Sequence, residues 1–386
     1  MLRRQYTSFD YTLLLAVVVL MLVGLVMIGS ATRINLFGES VQFNRQLVFM
    51  LMGFVMLFAA AFIDYHFIAK FYIPIYLLCV GLLIGTLAYG IMLTPESDVR
   101  RWIFLGTPDN NLGGIQPSEF AKVFMIIFLA KVIDKFGDNI NKFSILSMLA
   151  VSVAIPVVFI VLQPSLSVAV LILLICSAVL FVGNVGGKHM FIGLAAVTPI
   201  LLFLAYDFGR EQPLIIDRIL LPYQIIRIET LLNPEVADAD ATFQIERSVA
   251  AIGSGQLLGK GLYQGTITQA ARLPHAETDF IISVIGEELG FVGLMAVLTI
   301  MLFVIGKCMY VAITAPDMLG RLIASGVGMM LAFQSFINVG VVTEILPNTG
   351  VPFPFVSYGG SSLWTSMIAV GLVINVQMSK SKSIFE

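Results

Sequence analysis

Long runs of apolar residues without charge dominate the sequence. About 20 apolar residues cross a bilayer, so these runs predict membrane-spanning helices. The segment 120–133 contains Lys122 and Lys131 but is otherwise nearly all apolar, and counting it gives ten predicted spans. The predicted spans are 11–32, 47–63, 71–92, 120–133, 144–163, 168–183, 189–206, 281–306, 322–343 and 362–378. The fifth and sixth spans are separated at Gln163-Pro164, since a proline ends the helix before it. The first run is longer than the apolar part of a signal peptide and is interpreted as a retained span.

Composition agrees with this pattern. Apolar residues make up 58% of the 386 residues and charged residues only 12%, whereas soluble domains carry roughly 25% charged residues. The chain is therefore predicted to be an all-α, polytopic membrane protein that forms a single integral domain over residues 1–386. A net charge of −2 excludes nucleic acid as a partner. Cys79, Cys176 and Cys308 all lie in apolar runs, which predicts free, buried thiols.

The distribution of lysine and arginine predicts the orientation in the cytoplasmic membrane. Eleven of these residues lie on the N-terminal side of the predicted spans and five in the short loops opposite. The long loop 207–279 is not counted, because long loops cross the membrane largely regardless of charge. Since positive charge stays inside, both termini are expected in the cytoplasm. The extracytoplasmic side then carries the long loop and the connections 93–119 and 344–361.

The connection before the fourth span contains uncommon residue types. It begins with Arg101 and Trp102, and Gln116-Pro117-Ser118 predicts the start of the next helix. Trp102 by itself is equally well explained as an aromatic anchor at the membrane surface.

Glu119 and Lys122 follow directly and share one face of the predicted fourth helix. A lysine in the apolar layer costs a few kcal/mol unless it is paired or faces water. An ion pair directed into the helical bundle is therefore predicted.

The end of the long loop carries three acidic residues. Asp279 lies where the eighth span begins, and a partly desolvated carboxylate there is a candidate general base. The alternative is an ordinary acid at a helix N-terminus. Glu287 and Glu288 lie deeper in the apolar run, where acids are functional candidates. At 100° per residue they lie about 80° and 180° around a helix from Asp279, so at least one of the three is expected to be structural.

Two further segments of the extracytoplasmic side have an unusual backbone composition. The long loop contains five closely spaced glycines, Gly253 to Gly265, but no strand–turn–helix pattern of a phosphate-binding loop surrounds them. Residues 222–232 are predicted to form an amphipathic helix on the membrane surface. Three prolines and several glycines in 344–361 predict irregular backbone, which at membrane depth needs surrounding protein or a water-filled cavity.

Five motifs, in order along the chain, resemble those of the SEDS family (shape, elongation, division and sporulation). They are RRWI, QPSEFAK, AIGSGQLLGKG, TDFIISVIGEELGFVG and LPNTGVPFPFVSYGGSS. The resemblance covers essentially the whole chain. GKGLYQGT is more similar to the RodA branch, whereas NVGVVTEILPNTG is equally similar to the division and sporulation branches.

The resemblance implies a peptidoglycan glycosyltransferase in the bacterial cytoplasmic membrane. Such enzymes polymerise lipid II at the outer face, release undecaprenyl diphosphate, and work with a class B penicillin-binding protein, with membrane lipids around them. A divalent cation, Mg²⁺ or Mn²⁺, is implied as a possible cofactor. Asp279 matches the essential acid of the TDF motif. The residues implied to bind substrate or support the site are Arg45, Arg101, Trp102, Gln116, Ser118, Glu119, Lys122, Lys260, Thr278, Ser357 and Gly359.

Two departures from the family pattern border this expected site. Ser165 stands where many members have an aspartate, and His275 and Glu277 are exchanged relative to the common order. They put metal binding and the detailed proton path in question. Two alternative functions fit charges and broken helices in a membrane: a flippase or transporter for a lipid-linked sugar, and a scaffold that recruits a transpeptidase.

Overall fold

The structure is a computed structural model that describes residues 9–32, 41–89, 91–92, 100–104, 114–163, 165–187, 239–270 and 273–383. Helices dominate this part of the chain. In order they are α1 (Tyr11–Ala31), α2 (Val41–Phe62), α3 (Tyr65–Lys70), α4 (Tyr72–Tyr89), α5 (Pro117–Phe136), α6 (Phe143–Leu162), α7 (Leu166–Val182), α8 (Ala239–Ser254), α9 (Thr266–Gln269), α10 (Ile281–Thr314), α11 (Met318–Val342) and α12 (Gly360–Ser383). A 3₁₀ turn at Gly137–Asn141 joins α5 to α6.

Nine of the ten predicted spans correspond to helices in the described residues. Within the part of the chain that the structure describes, seven helices are long and apolar enough to cross a membrane. α7 is apolar but shorter, and α5 carries the lysines that interrupt the fourth predicted span. The predicted span 189–206 and the predicted surface helix 222–232 lie outside the described residues. The all-α membrane fold is confirmed.

Most of the core is formed by the helices at the centre of the bundle. α5, α11 and α12 are largely buried, whereas α4 and α6 expose most of their apolar side chains. The three cysteines are free and buried as predicted. A small antiparallel sheet links α4 to α5: β1 (Ile91–Met92), β2 (Arg100–Phe104) and β3 (Gly114–Ile115), with β2 in the middle.

The loops sort to two ends of the bundle in the alternation that the spans predict. At one end, Lys307 Nζ binds Asp10 Oδ2 at 2.8 Å, and Tyr65 Oη donates to Asp317 Oδ1 at 2.9 Å. The opposite end holds Asp279 and the connection before α12. The structure thus groups the predicted cytoplasmic loops together, while the assignment of this end to the cytoplasm rests on the distribution of lysine and arginine.

Helix α10 is broken near its start. The glycine-rich loop, residues 253–265, forms hydrogen bonds with the backbone groups that the break leaves without helical partners. Gly290 has φ +68° and ψ −167° inside the helix. Lys260 N and Gly261 N each donate to a carbonyl of the break, those of Glu287 and Glu288, at 3.0 Å. Phe291 N and Val292 N bond back to the loop. The two backbones are so close that a Cβ on Gly290 would lie 2.3 Å from Gly259 N. The glycines therefore permit a close backbone crossing.

Candidate active site

Asp279 lies just outside α10, because the helix begins at Ile281 with Phe280 as its N-cap. Its side chain is half-buried. Its backbone carbonyl accepts a hydrogen bond from Asn338 Nδ2 of α11 at 2.8 Å. The carboxylate lies beside Gly350, where an added Cβ would be 3.4 Å from Asp279 Oδ2. The helical-wheel prediction assumed a helical Asp279 and was wrong on that point.

The connection between α11 and α12, residues 343–359, surrounds Asp279. Ser357 Oγ donates to Thr278 O at 2.6 Å and accepts from Phe353 N at 2.8 Å. Tyr358 N donates to Glu277 O at 2.8 Å. Gly359, at φ +153°, donates through its N–H to Gln46 Oε1 of α2 at 3.2 Å. The connection therefore fixes the backbone at the start of the TDF segment. It is irregular as predicted, and its second half, from Val351 to Ser357, is mostly buried by protein, whereas Ile345 in its first half is exposed.

Arg45 reaches the same place from the start of α2. It is exposed, and its guanidinium is hydrogen-bonded to the Tyr358 side chain. Burial raises the pKa of Tyr358, and Arg45 offsets part of that rise while the Glu277 charge adds to it. Tyr358 thus stays a neutral phenol at physiological pH. Arg45, Tyr358 and Glu277 form a polar group beside the TDF segment, and Glu277 is one of the two exchanged residues.

The predicted ion pair in α5 is confirmed. Lys122 Nζ lies 2.7 Å from Glu119 Oε2, with the side chains 1% and 5% exposed. The same Nζ donates to Gln334 Oε1 of α11 at 3.0 Å. Two protein acceptors therefore hold this buried ammonium, and Gln334 in turn donates to Pro352 O at 3.0 Å.

The start of α5 lies next to the start of α12. Gln116 N donates to Ser361 Oγ at 2.9 Å, and Pro117 occupies the first helical turn as predicted. Ser118 is buried, and its hydroxyl has no hydrogen-bond partner among the described residues. On the neighbouring β2, Trp102 is half-buried, and Arg101 Nε donates to Gln163 O at 3.3 Å. This places Arg101 near the junction of α6 and α7.

Glu287 and Glu288 belong to a different cluster from Asp279. Both are fully buried. Glu287 accepts from Lys260 Nζ at 2.7 Å, and donors of the segment from Thr266 to Thr268 complete its shell. Glu288 accepts from Ser30 Oγ at 2.5 Å, from Tyr263 N at 3.0 Å and from Gln269 Nε2 at 3.3 Å. The prediction that at least one acid is structural is confirmed. Lys260 is bound here rather than beside Asp279.

Three residues of the site were missed from the sequence: Gln334, Asn338 and Tyr358. Gln334 and Asn338 are buried amides four residues apart in the predicted span 322–343, so they share one helical face. An uncharged polar pair in an apolar helix is the signal that could have found them. Tyr358 carried no such signal, because its role depends on the fold of the connection around it.

Comparisons with known proteins show the family. The family model for FtsW, RodA and SpoVE, described as cell cycle protein, matches residues 11–382. The chain belongs to this SEDS family. A probable peptidoglycan glycosyltransferase FtsW from Geobacter sp. (strain M18) is 34% identical, with 97% of this chain and 98% of the relative covered. The peptidoglycan glycosyltransferase MrdB of Escherichia coli K12 is 31% identical, with 97% of this chain and 96% of MrdB covered.

A solved structure of a peptidoglycan synthase complex that coordinates polymerization and crosslinking has the same SEDS fold. It matches with a TM-score of 0.78 at 27% identity, over 96% of this chain and 98% of that one. The SEDS chain is thus a multi-pass protein of the bacterial cytoplasmic membrane and a peptidoglycan glycosyltransferase. Relatives of more than one branch match at similar identity, so the closer similarity to RodA stays a prediction.

Proposed function

We propose that this SEDS chain polymerises lipid II into glycan strands at the outer face of the membrane, with Asp279 as the general base. The observation that carries the proposal is the half-buried carboxylate of Asp279, outside the helix and enclosed by the connection before α12. The two acids of α10, Glu287 and Glu288, are instead fully buried and bonded to the glycine-rich loop.

The reaction joins a sugar 4-hydroxyl to an anomeric carbon that carries a diphosphate. The hydroxyl oxygen forms a bond to that carbon, its proton passes to the Asp279 carboxylate, and the carbon–oxygen bond to the diphosphate breaks. The departing undecaprenyl diphosphate keeps the electron pair and needs positive charge near it. A positioned base contributes roughly 10²–10⁴-fold to the rate.

We assign to Arg45 and Arg101 the positive charge that neutralises the departing diphosphate. Arg45 is exposed beside the TDF segment, and Arg101 is half-buried on β2 at the same end of the bundle. Lys122, the third cation considered for this task, is 1% exposed and binds Glu119 and Gln334. Its geometry favours a role in holding α5 against α11.

With the side chains that the structure describes, a divalent cation would fit the site as an ion coordinated by both protein and substrate. Among the described residues no group of three or more His, Cys, Asp or Glu side chains could hold a metal. Mg²⁺ and similar ions accept one or two carboxylates together with substrate phosphates and water. Asp279 would be the carboxylate in such a site, and the ion would neutralise phosphate charge.

We further propose a class B penicillin-binding protein as the partner that crosslinks the new strands. The similarity to a chain of a peptidoglycan synthase complex supports this proposal. A scaffold role is the contrasting function, and in that case Asp279 would be dispensable. A flippase would translocate lipid II without making polymer.

The test is a polymerisation assay with purified protein and lipid II already on the accessible side, with and without the transpeptidase. Asp279→Ala is expected to reduce strand synthesis by about 10²–10⁴-fold at an unchanged melting temperature. Thr299→Val, which changes an exposed hydroxyl in the distal part of α10, is the control and should retain activity. Strand synthesis by Asp279→Ala at the rate of this control would overturn the assignment.

A further inference from the structure

Two groups of hydrogen bonds, linked through the Val351–Pro352 backbone, join the buried ion pair of α5 to the backbone of Asp279. The first group starts at Glu119, passes through Lys122 Nζ to Gln334 Oε1, and continues from Gln334 Nε2 to Pro352 O at 3.0 Å. The neighbouring carbonyl, Val351 O, accepts from Asn338 Nδ2 at 2.8 Å. The same Nδ2 donates to Asp279 O at 2.8 Å.

The two amides of α11 lie at the centre of this set. Gln334 and Asn338 are 0% and 1% exposed and lie one helical turn apart. Each holds a carbonyl of the connection before α12, while Asn338 alone also holds the TDF segment. Neither amide touches the Asp279 carboxylate in the hydrogen bonds that define the set. Their effect on that carboxylate therefore passes through the backbone.

We propose that Asn338 and Gln334 are positioning residues that set the place of the Asp279 carboxylate relative to the connection around it. The proposal rests on the function assigned to Asp279 above. Asn338 Nδ2 donates to both Asp279 O and Val351 O. The distance between the backbone of the base and the connection before α12 is therefore fixed. Gln334 bonds to Lys122 and to Pro352 O of the same connection. The Lys122–Glu119 pair would therefore help to position the connection without touching substrate.

Positioning by Asn338 predicts a specific kinetic defect. A displacement of about 1 Å at a reacting group can cost about 10²-fold in rate. Asn338→Ala is therefore expected to lower kcat by about 10- to 100-fold, with KM for lipid II changed less than about twofold, because the substrate contacts remain. Gln334→Met should lower kcat by less, since it leaves the Asn338 bonds in place.

The matched control is Ser335→Ala on the same helix. Ser335 is buried, and its hydroxyl has no hydrogen-bond partner among the described residues. Removing it should leave kcat and KM unchanged. Rates are normalised to folded protein, measured by size exclusion and thermal unfolding, so that a loss of fold does not count as a loss of kcat. If Asn338→Ala does not fold, Gln334→Met carries the test.

A double-mutant cycle with Asp279→Glu separates positioning from general support. Asp279→Glu moves the carboxylate by one methylene, so a residue that acts through Asp279 should lose most of its effect in that background. Additive losses, or an Asn338→Ala enzyme with the kcat of Ser335→Ala, would overturn the inference. Activity in Asp279→Ala would instead overturn the proposed function, so the two failures give different results.

Discussion

Asp279 and Glu287 lie eight residues apart in one stretch of sequence and have opposite surroundings. Glu287 is fully buried, and donors from one loop occupy both of its oxygens. Asp279 is half-buried, and the hydrogen bonds around it hold its backbone. A fully buried carboxylate whose oxygens are saturated with internal donors stabilises the fold, whereas the half-buried carboxylate of Asp279 lies beside the connection before α12, where a substrate can reach it. Depth in the membrane alone does not separate the two.

The largest effect on stability is expected when Glu287, rather than Asp279, is replaced by alanine. Glu287→Ala leaves Lys260 and two backbone N–H groups without their acceptor. Losing one partner of a buried charge costs about 3–5 kcal/mol, and Lys260 is 22% exposed, so about 3 kcal/mol is expected. Thermal unfolding in detergent should show a large drop, in contrast to Asp279→Ala.

The control for this prediction is Asp134→Ala. Asp134 pairs with Lys131 at 2.8 Å, with both side chains 28% exposed, and such pairs contribute at most about 1 kcal/mol. Equal melting temperatures for Glu287→Ala and Asp134→Ala would mean that the glycine-rich loop does not stabilise α10 through Glu287.

An intermediate effect is expected from Gly290→Ala. The residue has φ +68°, and an added Cβ would lie 2.3 Å from Gly259 N. Backbone strain of this kind costs about 1–3 kcal/mol. If the glycine-rich loop moves to relieve the strain, the first part of α10, which follows Asp279, is displaced with it. Both melting temperature and polymerisation rate should fall.

Gly306→Ala is the matched control in the same helix. No atom lies within 4 Å of a Cβ added there, so alanine should be neutral or slightly stabilising. If Gly290→Ala behaves like Gly306→Ala, the break in α10 is not fixed by the backbone crossing.

The smallest effect should appear at the end of the bundle far from the site. Burial raises the pKa of Asp10, but hydrogen bonds from Lys307, Thr12 and Leu13 outweigh it and hold that pKa below its ordinary value. A lowered carboxyl pKa stabilises the fold above the ordinary value of 3.8, and this stability is lost as pH falls through the lower folded value. Asp10→Asn should therefore cost about 1 kcal/mol at pH 7.

Thermal unfolding at neutral and acidic pH checks this prediction. The difference between wild type and Asp10→Asn should shrink as the pH falls below 3.8. Polymerisation at neutral pH should stay within twofold of wild type. A difference that persists unchanged in acid would mean that the Asp10 charge is not its source.

The sequence predicted well the nine spans that fall in the described residues, because charge-free runs are local signals. The orientation in the membrane, which follows from the lysine and arginine distribution, stays a prediction. The sequence also predicted the Glu119–Lys122 pair from a local signal, because the two residues are one turn apart. It did not predict that Lys260 binds Glu287, since this contact depends on a backbone crossing between Gly259 and Gly290. The long-range bonds of Asn338 were also missed, because they require the fold of the connection before α12.

The connection between α11 and α12 has a consequence for biosynthesis. Val356 packs against Gly24 of α1, and Gly360 packs against Phe49 of α2, so this part of the chain contacts two helices that are synthesised long before it. α12 and the loop before it therefore insert against helices that are synthesised earlier. The surroundings of Asp279 therefore stay incomplete in a nascent chain until α12 enters the bilayer, and truncated products that stop before Gly360 should be inert.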